Sequence, residues 1–337
     1  MVMNIVWYWT LAAMLTAYAI LDGYDLGVGA LHLWIARNDT ERRIVLNAIG
    51  PVWNGNEVWL LAAGGMLVVS FPRVYAAGFS GFYLALMVVL WLLILRGVSI
   101  EFRSKLESPL WRGLWDAGFW LGSFLLCLLL GVALGNVLRG LPIDQDGFFA
   151  GSFALLLNPF SVLTGLLSLV VLPWHAANYL TLKAEADLLA RAERAARVLL
   201  WVVVLLALLT TLAAFRVRPE IFANFRLHPA LVLFPLLTLA GLAASFGSGK
   251  HPAWAFRASS ATIIGLLGSA AATLYPNLLI STLDPHYSLS IYNAASSPLA
   301  LQASFIANIV GMLGVVVYSS YVHRTFRGKV RLGDHAY

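Results

Sequence analysis

A chain of 337 residues that is 60% hydrophobic and 11% charged carries far more apolar surface than one soluble core could hide. That composition excludes an ordinary soluble enzyme domain, and it makes the net charge of +6 a matter of membrane topology rather than of nucleic-acid binding. A single cysteine, Cys127, excludes an intrachain disulfide and any cysteine-based metal cluster.

The expectation is an all-α polytopic membrane protein, because lipid forces every backbone polar group to pair within the segment. Nine spans are predicted, over 5–35, 58–71, 74–95, 114–138, 159–182, 198–215, 229–246, 258–275 and 302–326. They are expected to pack as a single helix-bundle domain over 1–337. The opening run has no Lys or Arg ahead of it and is too long for a signal-peptide core, so no cleaved leader is expected.

The first span contains "AILDGYDLGVGAL", with Asp22 and Asp25 among three glycines. Their i, i+3 spacing puts both carboxylates near one helix face. They lie about 25 Å along the helix from Ile5. Carboxylates in an apolar span are expensive, so a proton or ion relay is the functional reading. The competing reading makes them helix-end charges reaching the headgroups.

The second span is short, so its helix should begin in the polar "NGNEVW" just before it. Asn54, Asn56 and Glu57 then stand at its mouth between Trp53 and Trp59, at a depth like that of Asp22 and Asp25. Asn54 and Glu57 also read as helix caps. After the third span, "RGVSIEFRSKLESPLWRGLWDAG" reads as a cytoplasmic loop with solvated pairs, Glu101 with Arg103 and Lys105 with Glu107. Trp111 and Trp115 form an interfacial belt, and Asp116 is taken as a helix-start charge rather than a wall residue of the inlet.

The later spans show no internal repeat, which removes the usual signature of an inverted-repeat transporter. The longest loop, 276–301, contains no Lys or Arg and is turn-rich at "NAASSP". "GSGKH" lacks the spacing of a phosphate loop, so ATP-driven chemistry is not expected.

Orientation follows from the basic residues. With the N-terminus outside, the inner segments hold Arg37, Arg42, Arg43, Arg96, Arg103, Lys105, Arg112, Lys183, Arg191, Arg194, Arg197, Lys250, Arg257, Arg324, Arg327, Lys329 and Arg331. The outer loops hold only Arg73, Arg139, Arg216, Arg218 and Arg226. This asymmetry places the C-terminus in the cytoplasm. The seven histidines, His32, His175, His228, His251, His286, His323 and His335, fall at span ends, in loops or in the tail. A bundle haem needs a ligand at mid-depth, so this chain is expected to bind no haem, and no zinc motif is present.

"LDGYDLGVGAL", "RNDTERRIVLNAIGPVWNGNEVWLLAAGG", "FPRVYAAGFSGFYLALMVVLWLLILRGVSIEFRSK" and "WRGLWDAGFWLGSF" follow one another through the first half of the chain. "GNVLRGLP" and "LLNPFSVLTGL" continue the pattern, and "AWAFRASS" and "NAASSPLAL" carry it weakly to the end. In these strings the chain resembles the second subunit of the cytochrome bd-type quinol oxidases. The resemblance implies a nine-helix subunit of the bacterial or archaeal cytoplasmic membrane, paired with a subunit I that holds the haem b and haem d groups. The pair would oxidise quinol and reduce O2 to water, building proton-motive force without pumping. A small accessory subunit, membrane lipid, and a structural quinone or lipid belong to the same expectation.

By the same resemblance Asp22 and Asp25 match an acidic pair of the proton route, and Trp59 lies where an oxygen route or subunit interface is placed. Asn54 departs from relatives with an Asp there. An amide cannot exchange a proton at neutral pH, which shifts that role towards Glu57. The rival readings are an autonomous proton-coupled secondary transporter and a scaffold whose carboxylates sit in buried ion pairs.

Overall fold

The computed structural model describes residues 2–248 and 251–332, without the side chains of residues 221 and 222. Lys250 and His335 therefore lie outside the described residues. The chain forms α1 (Val2–Ile35), α2 (Asp39–Ile49), α3 (Trp53–Ser70), α4 (Pro72–Gly81), α5 (Tyr83–Phe102), α6 (Pro109–Arg139), α7 (Pro159–Lys183), α8 (Ala186–Val217), α9 (Ala223–Leu227), α10 (Leu233–Gly247), α11 (Pro252–Leu274) and α12 (Pro298–Thr325). Short strands β1 (Asn277–Leu279) and β2 (Leu289–Ser290) pair antiparallel in the long loop.

The boundaries follow local chemistry. Proline opens α4, α6, α7, α11 and α12, where its missing N–H costs no hydrogen bond. Asn38 caps α2, its side chain accepting from the Glu41 N–H at 2.9 Å. The expected third span, 74–95, is broken near its outer end, where α4 gives way to α5 at Phe82.

Among the described residues eight helices are long and apolar enough to cross a membrane. The remaining expected span falls on α3, which begins at Trp53 in the polar stretch as anticipated. Its 18 residues reach about 27 Å, but the "NGNE" of its first turn dilutes its apolar character.

The core is built around α1, which packs against α3, α6, α7 and α11. Gly27 and Gly29 permit this closeness. A Cβ at Gly27 would stand 2.2 Å from the Leu172 carbonyl of α7, and one at Gly29 would stand 2.0 Å from Ser123 Oγ of α6.

The loops expected inside meet at one end of the bundle. The Arg191 Nε donates to Ile35 O, and Lys329 reaches the Thr181 and Ala184 carbonyls. The loops expected outside meet at the other. The Leu141 N–H donates to Ile280 O, the Trp7 Nε1 to Leu301 O and the Asn4 amide to Ile291 O.

Candidate functional site

Asp22 and Asp25 are fully buried on α1, towards the end where the basic loops gather. They do not share a partner. The Arg96 guanidinium on α5 grips Asp22 with a fork, Nη2 to Oδ1 at 2.8 Å and Nη1 to Oδ2 at 3.4 Å. The same Nη1 lies 3.4 Å from Glu57 Oε1 on α3, and the guanidinium carbon sits 6.0 Å from the Trp53 ring centroid.

Arg96 is itself fully buried. It is not the cytoplasmic loop charge that its place after an apolar run suggests. The helix continues past it to Phe102, so the guanidinium stays inside the bundle. Two carboxylates and one guanidinium leave this cluster with a formal charge of −1 when all three are ionised. Glu57, 22% exposed at its side chain, is the member nearest solvent.

Asp25 is held differently. Its Oδ2 accepts from the Asn56 amide at 2.7 Å, and no ion pair reaches it among the described residues. The same Asn56 nitrogen lies 2.8 Å from the Tyr24 hydroxyl and 3.2 Å from Leu21 O. Tyr24 continues to His323 of α12, oxygen to Nε2 at 2.9 Å. His323 Nδ1 is 2.8 Å from the Ser319 carbonyl. A carbonyl only accepts, so Nδ1 carries a hydrogen, and in the neutral ring Nε2 accepts from Tyr24. Asp25 Oδ1 and Asn56 Oδ1 are buried with no protein partner.

Asn54 is exposed, and the N-cap of α3 is Val52 without a side-chain cap bond, so the capping reading of Asn54 fails. Two residues turn a helix by about 200°, which is why Asn56 rather than Asn54 meets α1. Trp59 is half-buried on α3, and its Nε1 is shielded without a partner.

A second buried cluster lies nearer the same membrane face. Asp116, 1% exposed on α6, accepts from His32 Nε2 at 2.6 Å, Arg42 Nη1 at 2.9 Å and Arg103 Nε at 2.6 Å. Arg103 extends to Asp39 at 2.8 Å, and Arg112 joins that carboxylate at 3.1 Å. Asp116 is therefore not a simple helix-start charge, and Arg103 turns inward rather than standing in a solvated pair. Glu41 of α2 ion-pairs with Arg191 of α8 and accepts the Arg37 N–H at 2.6 Å. Burial works to raise its pKa, but the hydrogen bonds from Arg37 and Arg191 outweigh it and hold the carboxyl below its ordinary range.

Two of the histidines, His32 and His175, are fully buried in the bundle. His175 lies within α7 rather than at a span end and is fully buried. Its Nδ1 is 2.7 Å from Ser259 Oγ and its Nε2 3.1 Å from Ile20 O, so both ring nitrogens are engaged. His32 commits Nε2 to Asp116. No group of three or more His, Cys, Asp or Glu among the described residues could hold a metal ion.

Comparison with known proteins places this chain in a family. The profile described as "Cytochrome bd terminal oxidase subunit II" matches residues 3–326. The chain is 34% identical to "Cytochrome bd-I ubiquinol oxidase subunit 2" of Escherichia coli, covering 99% of this chain and 96% of that protein. It is 33% identical to "Probable cytochrome oxidase subunit 2" of Haemophilus influenzae, over 97% and 95% of the two chains. It is 32% identical to "Cytochrome bd ubiquinol oxidase subunit 2" of Bacillus subtilis, over 94% and 95%. Its fold matches a chain of the bd oxidase from Geobacillus thermodenitrificans, with a TM-score of 0.78 over 97% of this chain and 99% of that one, at 20% identity.

Proposed function

The chain belongs to the cytochrome bd terminal oxidase subunit II family, and from that premise we propose that it lines the proton route of a quinol-oxidising, O2-reducing complex. The assembly is an oxidoreductase of the bacterial respiratory membrane, and this chain is its multi-pass second subunit. In our reading subunit I carries haem b and haem d, and this chain binds neither, which the engaged nitrogens of His175 support. The bundle acts as one domain of nine spans in the cytoplasmic membrane, N-terminus outside, which the gathering of basic loops at one end supports. The autonomous transporter is not favoured, since the relatives are oxidase subunits throughout.

One observation carries the proton assignment. Three buried or half-buried carboxylates, from α1 and α3, meet at one depth in two different environments. Asp22 is tied to Arg96 and sets the field. Asp25 has an amide for company and a free oxygen, so it is the member suited to carry a proton. Glu57 stands nearest solvent and takes the inlet role that Asn54, exposed and unable to exchange a proton, does not fill. Trp59 lies on the half-buried face of α3 that we assign to the subunit interface or oxygen route. Lipid, together with a structural quinone or lipid, covers the apolar outer faces of α8 and α10, where Trp201 is 66% and Leu233 66% exposed. A small accessory subunit has room on those faces.

The test is oxygen consumption by the assembled oxidase carrying Asp25→Asn or Glu57→Gln. Each should lower turnover by about tenfold or more, with the reduced-minus-oxidised haem spectrum unchanged. Unchanged turnover with normal haem content would overturn the route.

A further inference from the structure

Between the last turns of α1 and the first half of α8 lies an open cavity of about 400 Å³. Arg37, Arg191 and Arg194 line one part of it, and Trp34, Val198 and Leu199 line another. Arg191 is already committed to Ile35 O and Glu41. Arg37 and Arg194 are exposed, and their side chains make no hydrogen bond or ion pair among the described residues.

The sequence of α8 fixes the level of this cavity in the bilayer. Its first twelve residues, "ADLLARAERAAR", hold five charges, and the next twelve, "VLLWVVVLLALL", hold none. The boundary between headgroups and hydrocarbon therefore passes at Arg197 and Val198, and the cavity straddles it. Trp34, 75% exposed, and Trp201, 66% exposed, stand at the same boundary, where tryptophan is enriched. A site that is cationic above this plane and apolar below it matches an amphiphile with an anionic head.

We propose that this groove is a specific site for an anionic glycerophospholipid, with its phosphodiester against Arg37 and Arg194 and an acyl chain along Trp34, Val198 and Leu199. The occupant is argued from charge. Two unpaired guanidiniums call for a net negative head, which a zwitterionic lipid does not supply. Free phosphate would leave the apolar half of the groove uncovered. The inference builds on the reading of the chain as a membrane subunit with these ends at the cytoplasmic leaflet. Glu41 is the nearby acid, and Arg191 neutralises it, so it does not cancel the other two cations.

The experiment uses the whole purified oxidase complex. It is delipidated in detergent and titrated with phosphatidylglycerol, phosphatidylcholine or inorganic phosphate, with retained lipid counted by native mass spectrometry and thermal protection read alongside. Phosphatidylglycerol should be retained and should raise the unfolding temperature. R37A/R194A should weaken that retention roughly tenfold. V198W, which fills the apolar half and keeps both arginines, should also weaken it. R197A, outside the cavity lining, should not. Equal phosphatidylglycerol retention by wild type, R37A/R194A and V198W overturns the site. So does equal retention of phosphatidylcholine, or equal protection by inorganic phosphate. The haem spectrum of the same preparation reports separately on whether the chain sits in an oxidase at all.

Discussion

Arg96 shows what one buried cation does for the bundle. Removing a charge from water is costly, and the cost is met here by a two-pronged bond to Asp22, a second carboxylate at 3.4 Å and an aromatic face. Arg96→Ala would leave the Asp22 carboxyl buried without its partner. The expected cost is about 3–5 kcal/mol, read as a fall in the unfolding temperature and in the yield of assembled complex. Arg96→Met combined with Asp22→Leu should cost much less than the sum of the two singles, because neither charge is then stranded. Additive losses would show that the pair is not the reason for the burial. From sequence, Asp22, Asp25 and Glu57 are legible as costly charges at similar depth. Arg96 is not, because an arginine directly after thirteen residues of apolar helix looks like any positive-inside loop residue. Only the carboxylates opposite reveal that it points inward. Asp116 is hidden in the same way, since its partner His32 is 84 positions away.

At the scale of the helix, closeness and register decide the site. Because α1 touches the Leu172 carbonyl at Gly27, any side chain there must push backbone against backbone. Gly27→Val should cost about 1–3 kcal/mol or more and shift α1 away from α7, lowering the unfolding temperature of the complex. Gly64→Ala on α3 is the control, since nothing lies within 4 Å of its added methyl. It should be neutral or stabilise by up to about 1 kcal/mol. The element boundaries were largely readable, through proline starts, the Asn38 cap and the polar beginning of α3. The register of α3 was not, because Asn54 and Asn56 are equivalent until α1 is placed beside them.

Helix α2 is held to α8 by Glu41, and this link is sensitive to acid. The folded carboxyl titrates below its ordinary value, so the contribution is present above the unfolded pKa of about 4.3 and is lost as pH falls through the lower folded value. Wild type should therefore lose more stability than Glu41→Gln between about pH 5 and pH 3. Parallel thermal melts at those two pH values measure the difference.

For the whole molecule, the two ends of the bundle differ in kind, and this is what makes its orientation testable. The end with Arg42, Arg103, Arg112, Arg191 and Lys329 is laced by charged bonds between α1, α2, α6, α7 and α8. The other end is closed by backbone bonds from the short hairpin to the loop after α6, with few charges. Such a split follows if the basic end faces the cytoplasm, where translocation of lysine and arginine is disfavoured. Asp146 is exposed at the sparsely charged end and Glu193 at the basic end, while the native Cys127 is buried. In intact cells, Asp146→Cys should react with a membrane-impermeant maleimide, and Glu193→Cys should react only after permeabilisation. The wild-type chain should remain unlabelled under both conditions. The opposite labelling pattern would invert the bundle. Asp22, Asp25 and Glu57 would then open to the exterior, and they could not serve as a route that draws protons from the cytoplasm.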